Sequence, residues 1–365
     1  MAVHGLDVER VARELIEGLA GEGLQLAVVF ADWRLDPAVL ARRLQQALPA
    51  PVVGCTTIGV ISAGAEAPTA AAVGLYGDWV RAGIGVASEL PKSALARSRD
   101  AVHRAAAALG KTADKLDSSR HIAFTLVDGS CGHEEAFCIA SAATAPQIRM
   151  IGGSAASEHG SKRRAYVWAN GEALADAGVV VVLDSKLPFE AVTSSHLVAT
   201  QKKTVVTAAS GRTIDELDGR PAAQRLRELV GQLGDESRPS AYSFARFIDG
   251  VPYVRSVTHV EGSRLHLACA VEVGHVLRLM RPGDLVGQTA RDLEATKERL
   301  GGELAALIAF SCIGRHWDAG ARGLERGLAG AYAAYPTTGF QSFGEQTGML
   351  LVNHTLTALA IGAQP

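Results

Sequence analysis

Apolar and polar positions along the chain predict the same order of elements three times. Each copy begins with a short apolar strand, continues as an amphipathic helix that stops near a proline, and ends in a glycine-led turn. The three copies span residues 26–59, 121–157 and 307–345, and their turns begin at Gly54, Gly152 and Gly339. A strand–helix–strand order that recurs in this way predicts a repeated β-α-β unit.

Shorter alternating segments lie between the copies. Residues 70–76 and 81–87, joined through Gly77, predict a hairpin, and residues 253–280 predict a meander. The fold class expected is α/β, with mixed sheets built from repeated β-α-β units and hairpin meanders. A polar, proline-containing segment at 185–188 suggests two regions, 1–186 and 187–365.

Composition narrows the class of protein. The chain has 365 residues, of which 48% are hydrophobic and 20% charged, as in globular proteins. Its net charge is −2 and it has no basic run, so we expect neither nucleic acid nor a membrane as a partner. The five cysteines form no CxxC pair, which favours a reduced, cytoplasmic protein over a disulfide scaffold.

The glycine-led turns are the first candidate binding site. Backbone N–H groups at such a turn can hold a phosphate or carboxylate. Alternatively, the glycines only let two strands approach closely. None of the turns has the P-loop spacing. The ligand-binding candidates at or beside these turns are Cys55, Thr56, Thr57, Ser154, Arg315, Ser342 and Glu345.

A catalytic site is not expected. Ser130 and Cys131 lie after the second predicted strand, but neither has the flanking glycines of a nucleophile elbow. Ser130 and Glu134 are instead expected to cap the following helix. The four tryptophans are expected to fill the core.

Eleven histidines offer candidates for an iron ligand. Neither HExxH nor CxxCH is present, so a conventional zinc site and covalent haem are both disfavoured. A noncovalent haem needs only one protein nitrogen and an apolar pocket. The cofactor-binding candidates are His196, His259, His266 and His275.

Several motifs along the chain are more specific than its composition. They are Val53-Gly-Cys-Thr-Thr-Ile-Gly59, residues 126–129, 205–207 and 214–222, Gly339-Phe-Gln-Ser-Phe-Gly-Glu-Gln346 and Asn353-His-Thr-Leu-Thr357. Together these motifs resemble the FIST proteins. The resemblance covers nearly the whole chain. Two positions depart from the family pattern, Val60 in place of a common glutamate and His354 in place of a common glutamine.

The resemblance implies an N-terminal and a C-terminal FIST region and a sensory function. Such proteins work with histidine kinases, diguanylate cyclases or chemoreceptors. The end of the chain is most similar to the NosP-type branch, which implies haem b as cofactor and nitric oxide as the signal. The sequence leaves the oligomeric state open, with a homodimer among the alternatives. The alternatives are a FIST sensor that binds an amino acid or similar carboxylate through Arg315, and a hydrolase using Cys131 or Ser130.

Overall fold

The computed structural model describes residues 1–158, 164–231 and 242–363. Within these ranges the chain forms 24 strands and eight α-helices, and the strands make four sheets. Three of the sheets surround a common core, and the fourth is a seven-stranded sheet inserted between the second and third repeated units.

The elements follow in chain order. The first unit contains β1 (Ala2–Val3), α1 (Val8–Leu19), β2 (Leu24–Asp32), α2 (Pro37–Ala47), β3 (Val52–Thr57), β4 (Val60–Ser62) and β5 (Ala70–Tyr76). The second contains β6 (Val80–Ala87), α3 (Leu90–Ala108), β7 (His121–Asp128), α4 (Glu134–Thr144), β8 (Arg149–Ala155), β9 (Val167–Ala169), β10 (Glu172–Leu174) and β11 (Gly178–Ser185).

The remaining elements begin with β12 (Phe189–Ser195). The seven-stranded sheet and its helix comprise β13 (Leu197–Ser210), β14 (Thr213–Leu217), β15 (Arg220–Pro221), α5 (Ala222–Gly231), β16 (Ser243–Ile248), β17 (Val251–Glu261), β18 (Arg264–Leu267) and β19 (Val276–Pro282). The third unit contains α6 (Leu285–Arg299), β20 (Leu304–Cys312), α7 (Ile313–Arg322), α8 (Glu325–Ala333), β21 (Thr337–Ser342), β22 (Glu345–Thr347), β23 (Leu350–Val352) and β24 (Thr355–Gly362).

The predicted threefold repeat is confirmed. In each unit two strands run parallel across a helical connection, and a third strand pairs antiparallel with the first. The parallel pairs are β2–β3, β7–β8 and β20–β21, and the antiparallel partners are β5, β11 and β24. The sheets are therefore mixed, as the pattern predicted.

The three units also exchange strands. β4 leaves the first unit and pairs with β21 of the third, and β9 leaves the second and pairs with β3 of the first. β22 leaves the third unit and pairs with β8 of the second. This cyclic exchange makes the three units one body, which we call the three-unit body.

Local sequence explains why the elements form and pack. Asp36 accepts hydrogen bonds from the N–H groups of Ala38 and Val39, so it caps α2 ahead of Pro37. At the centre of the three-unit body the rings of Phe30, Phe310 and Phe340 meet with centroids 4.8–6.4 Å apart. Buried aromatic clusters of this kind contribute both apolar area and ring–ring contacts.

One predicted hairpin is wrong. β5 pairs with β2 in the first sheet, whereas β6 pairs with β11 in the second. The reason lies in Gly83 and Gly85, whose bare Cα atoms lie against the backbone of α3. A Cβ there would come within 2.0 and 1.8 Å of the carbonyl oxygens of Ala105 and Ala101. This close fit holds β6 under α3, and therefore in the second unit.

The predicted cap of α4 is also wrong. Ser130 donates its hydroxyl to Asp128 inside the preceding turn, and Glu134 pairs with Arg212 of the seven-stranded sheet. His133 occupies the cap position without a side-chain hydrogen bond to the helix. Asp128 thus binds the Ser130 hydroxyl, and Arg212 binds the Glu134 carboxylate. Neither side chain is then available to cap α4.

The expectation that the tryptophans fill the core holds for one of them and fails for two. Trp168 is fully buried, whereas Trp79 is 42% and Trp317 is 49% exposed.

Candidate functional site

The turns that follow the three glycines converge on one another. The hydroxyl of Thr57 donates to the carbonyl of Gln341 (2.9 Å), and the N–H of Phe343 donates to the carbonyl of Ser154 (3.1 Å). The N–H of Ala156 donates to the carbonyl of Thr56 (2.9 Å). The three turns therefore form a hydrogen-bonded centre in which their polar groups bind one another.

The leading glycine of each turn permits close strand approach. A Cβ would lie 1.8 Å from the carbonyl oxygen of Val29 at Gly54 and 2.1 Å from that of Ala309 at Gly339. At Gly152 it would lie 2.3 Å from the carbonyl oxygen of Thr125. No side chain fits at these distances, so the glycines serve the packing of the three parallel strand pairs.

The residues predicted to bind a ligand at the turns are all buried. Cys55 belongs to the apolar core, and Thr56 and Thr57 bind backbone carbonyls. Ser154 is 2% exposed. Arg315 is fully buried and donates to the hydroxyl of Thr289 (2.6 Å). These residues, Ser342 and Glu345 do not line the cavity described below, so their part in ligand binding stays a prediction.

Glu345 is an acidic group among these residues whose proton affinity is altered by burial. Its carboxylate is fully buried and accepts hydrogen bonds from the hydroxyls of Ser342 and Thr355. Burial raises the pKa of Glu345 to about 8, and the two hydroxyls and nearby Arg315 only partly oppose this rise.

A cavity of about 370 Å³ lies between the three-unit body and the seven-stranded sheet. Its wall combines residues that are far apart in sequence. The lining residues are Gly129, Arg212, Ser256, Val257, Thr258, Leu267, Ala268, Cys312, Ile313, Gly314, Trp317, Asp318, Ala321, Phe343, Asn353 and His354.

The cavity has the position and character of a small-molecule site. Gly129 directly follows β7 and Cys312 ends β20, so the cavity lies at the carboxyl ends of two strands from the parallel pairs, where α/β proteins commonly bind ligands. Val257 and Phe343 are among its apolar lining residues, and its volume falls within the range of ordinary ligand pockets.

The charged groups in the wall already have protein partners. Arg212 pairs with Glu134 and Glu135, at 2.8 and 2.7 Å. Asp318 bonds to His196 Nε2 at 3.0 Å and accepts from Arg322 at 2.8 Å. Although burial opposes it, these two hydrogen bonds hold the pKa of Asp318 below its usual value. Arg212 and Asp318 therefore bring no unpaired charge to the cavity wall.

Three buried polar atoms of lining residues have no hydrogen-bond partner. They are the Oγ of Ser256, the Nδ2 of Asn353 and the Nδ1 of His354. Buried polar groups in proteins usually have partners. A ligand in the cavity, or a small rearrangement of the wall, would give these three atoms the hydrogen bonds that they lack.

His354 has unusual surroundings. Its backbone φ is +52°, a left-handed conformation that is uncommon for residues other than glycine. A Cβ at Gly314 would lie 2.5 Å from its Nε2, so the ring rests over the bare Cα of that glycine. Burial, followed by nearby His196, lowers the pKa of His354 to about 3. The imidazole is therefore neutral at physiological pH.

The four histidines predicted as iron ligands do not line the cavity. His196 is buried, with its ring centroid 6.3 Å from that of His354. His259 is stacked on His266 at 4.2 Å on the surface of β17 and β18. His266 contacts Thr213 and Glu261, and His275 contacts Arg246 and the N–H of Glu272. Among the described residues no group of three or more His, Cys, Asp or Glu could hold a metal ion.

The residues considered for catalysis lack the needed surroundings. Burial and the charge of Glu134 raise the pKa of Cys131 to about 12, which opposes thiolate formation. The hydroxyl of Ser130 donates to Asp128 rather than to a histidine.

The helices in the described part of the chain include none with the length and apolar character of a membrane span.

The fold and cavity define an α/β protein of three interlocked units with a ligand-sized cavity beside an added sheet. The FIST N domain model matches residues 25–220 of this chain, and the FIST C domain model matches residues 222–347. The chain belongs to the FIST family. FIST domains are small-ligand sensor modules, and this chain carries both of them.

Other similarities are weaker. A segment is 35% identical over 85 residues to the uncharacterized protein MJ1623 of Methanocaldococcus jannaschii, covering 23% of this chain and 16% of that protein. A cyanuric acid hydrolase from A. caulinodans aligns over 100% of this chain and 98% of its own, with 12% identity and a TM-score of 0.38. A likeness at that level carries no argument about activity.

Proposed function

We propose that the cavity between the three-unit body and the seven-stranded sheet is the site at which this sensor module binds its ligand. The observation that supports this most is the neutral, partly unpartnered His354 in a largely apolar wall at the strand ends. Binding there would touch α7, β17 and the segment before β24 at once. A bound molecule would thereby bias how the two parts of the protein fit together.

The ligand we propose first is haem b, with nitric oxide as the signal. Of the histidines, His354 fits the requirement best, because it lines the cavity and its imidazole is neutral. His354 would hold the iron, and Trp317 and Phe343 would contribute aromatic surface. When bound, the iron supplies the atom to which nitric oxide attaches. A histidine kinase or diguanylate cyclase would receive the signal.

A second candidate is an uncharged planar molecule that accepts hydrogen bonds. The pairing of Arg212 and Asp318 within the protein favours it, since a charged ligand would have to displace an existing ion pair. The unpaired Nδ2 of Asn353 is a donor for such a ligand. An amino acid anchored by Arg315 finds less support, because that side chain is buried outside the cavity lining.

Titration of the purified protein with hemin tests the first candidate. We expect a Soret band that is lost in His354→Ala and retained in His259→Ala, an exposed histidine that does not line the cavity. A band that survives in His354→Ala would contradict the assignment of the iron ligand. If no band forms, quenching of Trp317 fluorescence by neutral heterocycles, absent in Trp317→Phe, would support the second candidate.

A further inference from the structure

The chain crosses between the three-unit body and the seven-stranded sheet at two points. It enters the sheet at His196, between β12 and β13, and leaves it at Gly283, after β19. The two points are in contact, because a Cβ at Gly283 would lie 2.4 Å from the carbonyl oxygen of His196. If the sheet rotates relative to the body, the backbone at these two crossings has to change conformation, because the chain connects the two parts there.

Two residues one turn apart on α7 hold both crossings. Asp318 bonds to the ring of His196 at 3.0 Å, and Arg322 donates to the carbonyl of Gly283 at 2.9 Å. Arg322 also donates to Asp318 at 2.8 Å, which joins the two contacts. The His196 side chain is fully buried and that of Asp318 is 8% exposed. Hydrogen bonds to charged groups at such sites are stronger than neutral ones.

Asp318 also lines the cavity, together with its neighbour Trp317. One carboxylate therefore belongs to the ligand wall and to the joint of the seven-stranded sheet. We propose that Asp318 and Arg322 form a latch that fixes the sheet against the body, and that occupancy of the cavity tightens this latch. The coupling to occupancy rests on the proposed function, whereas the latch itself does not.

Coupling of this kind is reciprocal. If a ligand stabilises the latched arrangement, then loosening the latch must weaken ligand binding by the same factor. Arg322 is a positioning residue in this proposal, since it does not line the cavity and its effect on the ligand passes through the placement of the sheet, whereas Asp318 also belongs to the cavity wall.

Amide hydrogen exchange of the ligand-free protein tests the latch directly. We expect Asp318→Ala to speed exchange about tenfold or more in peptides covering residues 196–199 and 283–285. Arg322→Ala should do so mainly at 283–285. Glu14→Ala, which breaks an Arg10–Glu14 pair with the same spacing on α1, is the matched control. Exchange at both crossings that stays at the wild-type rate in both α7 variants would overturn the latch.

The milder Asp318→Asn keeps the side-chain shape and guards against misfolding of the alanine variant. With hemin as the probe, we expect slower exchange at both crossings in the wild type and weaker hemin binding in Asp318→Asn and in Arg322→Ala, whose side chain does not line the cavity. Hemin that binds Arg322→Ala and the wild type equally, without slowing exchange, would overturn the coupling. A wild-type protein that takes up no hemin would instead refute the haem proposal, and the ligand-free exchange rates would then decide on the latch.

Discussion

Glu345 makes stability depend on pH in a direction that ordinary carboxylates do not produce. Its pKa is raised to about 8 in the folded protein, mainly by burial, from an ordinary value of 4.5. The folded state therefore holds a proton that the unfolded chain releases above about pH 4.5. This contribution to stability is complete below the unfolded pKa and is lost as pH rises toward 8.

The magnitude follows from the gap between the two pKa values. Each pH unit between them changes the free energy of unfolding by about 1.4 kcal/mol. Between pH 6.5 and 9 the wild type should lose about 2 kcal/mol through Glu345, with the loss ending near pH 8. Glu345→Gln removes the titration and keeps the shape, so this loss should disappear.

Urea unfolding at half-unit steps from pH 6.5 to 9 measures this difference. His316 and His354, with pKa values lowered by burial to about 3, weaken the fold only below about pH 6.5, and so lie outside the window. Glu303→Gln, an exposed change, is the control. The reasoning fails if wild type and Glu345→Gln lose stability in parallel across this range.

Four other substitutions test the fold by urea unfolding. Gly339→Ala should lower the free energy of unfolding by about 3 kcal/mol because its Cβ would clash with the neighbouring strand. Gly330→Ala has no atom near its Cβ and should stabilise α8 by about 0.5–1 kcal/mol. Equal effects of the two substitutions would contradict the argument that Gly339 permits close approach of the strands. Asp36→Ala should cost about 1 kcal/mol by removing the cap of α2, and a neutral result would show that the cap is dispensable. Arg212→Ala should cost about 2–3 kcal/mol because it leaves buried Glu134 unpaired, and a loss below 0.5 kcal/mol, roughly that of a surface pair, would refute this.

The fold was predictable from sequence where local pattern determines it. The apolar runs of β2, β7 and β20, with a helix and a glycine turn after each, were enough to identify three units. Pairing between units was not predictable, because the short strands β4, β9 and β22 carry no signal for a partner more than a hundred residues away. The 70–87 hairpin failed for a related reason, since contact with α3 decides the sheet that β6 joins.

The residues that line the cavity could not be predicted. Its wall brings together Gly129, Val257, Trp317 and His354, which have no common spacing or motif. From the sequence, His354 was a departure from the family pattern and no more than an outside candidate for the iron ligand, and its left-handed backbone has no sequence signal. Glu345 was identified through the glycine turn, but only the structure shows the burial that alters its proton affinity.

The exchange of β4, β9 and β22 has a consequence for how such a chain can be divided. A fragment that stops at residue 186 would keep β4 without its partner and leave the edge of β8 bare, so it would tend to pair with other molecules. The three repeats can therefore be duplicated, transplanted or fused to an output domain only as a set.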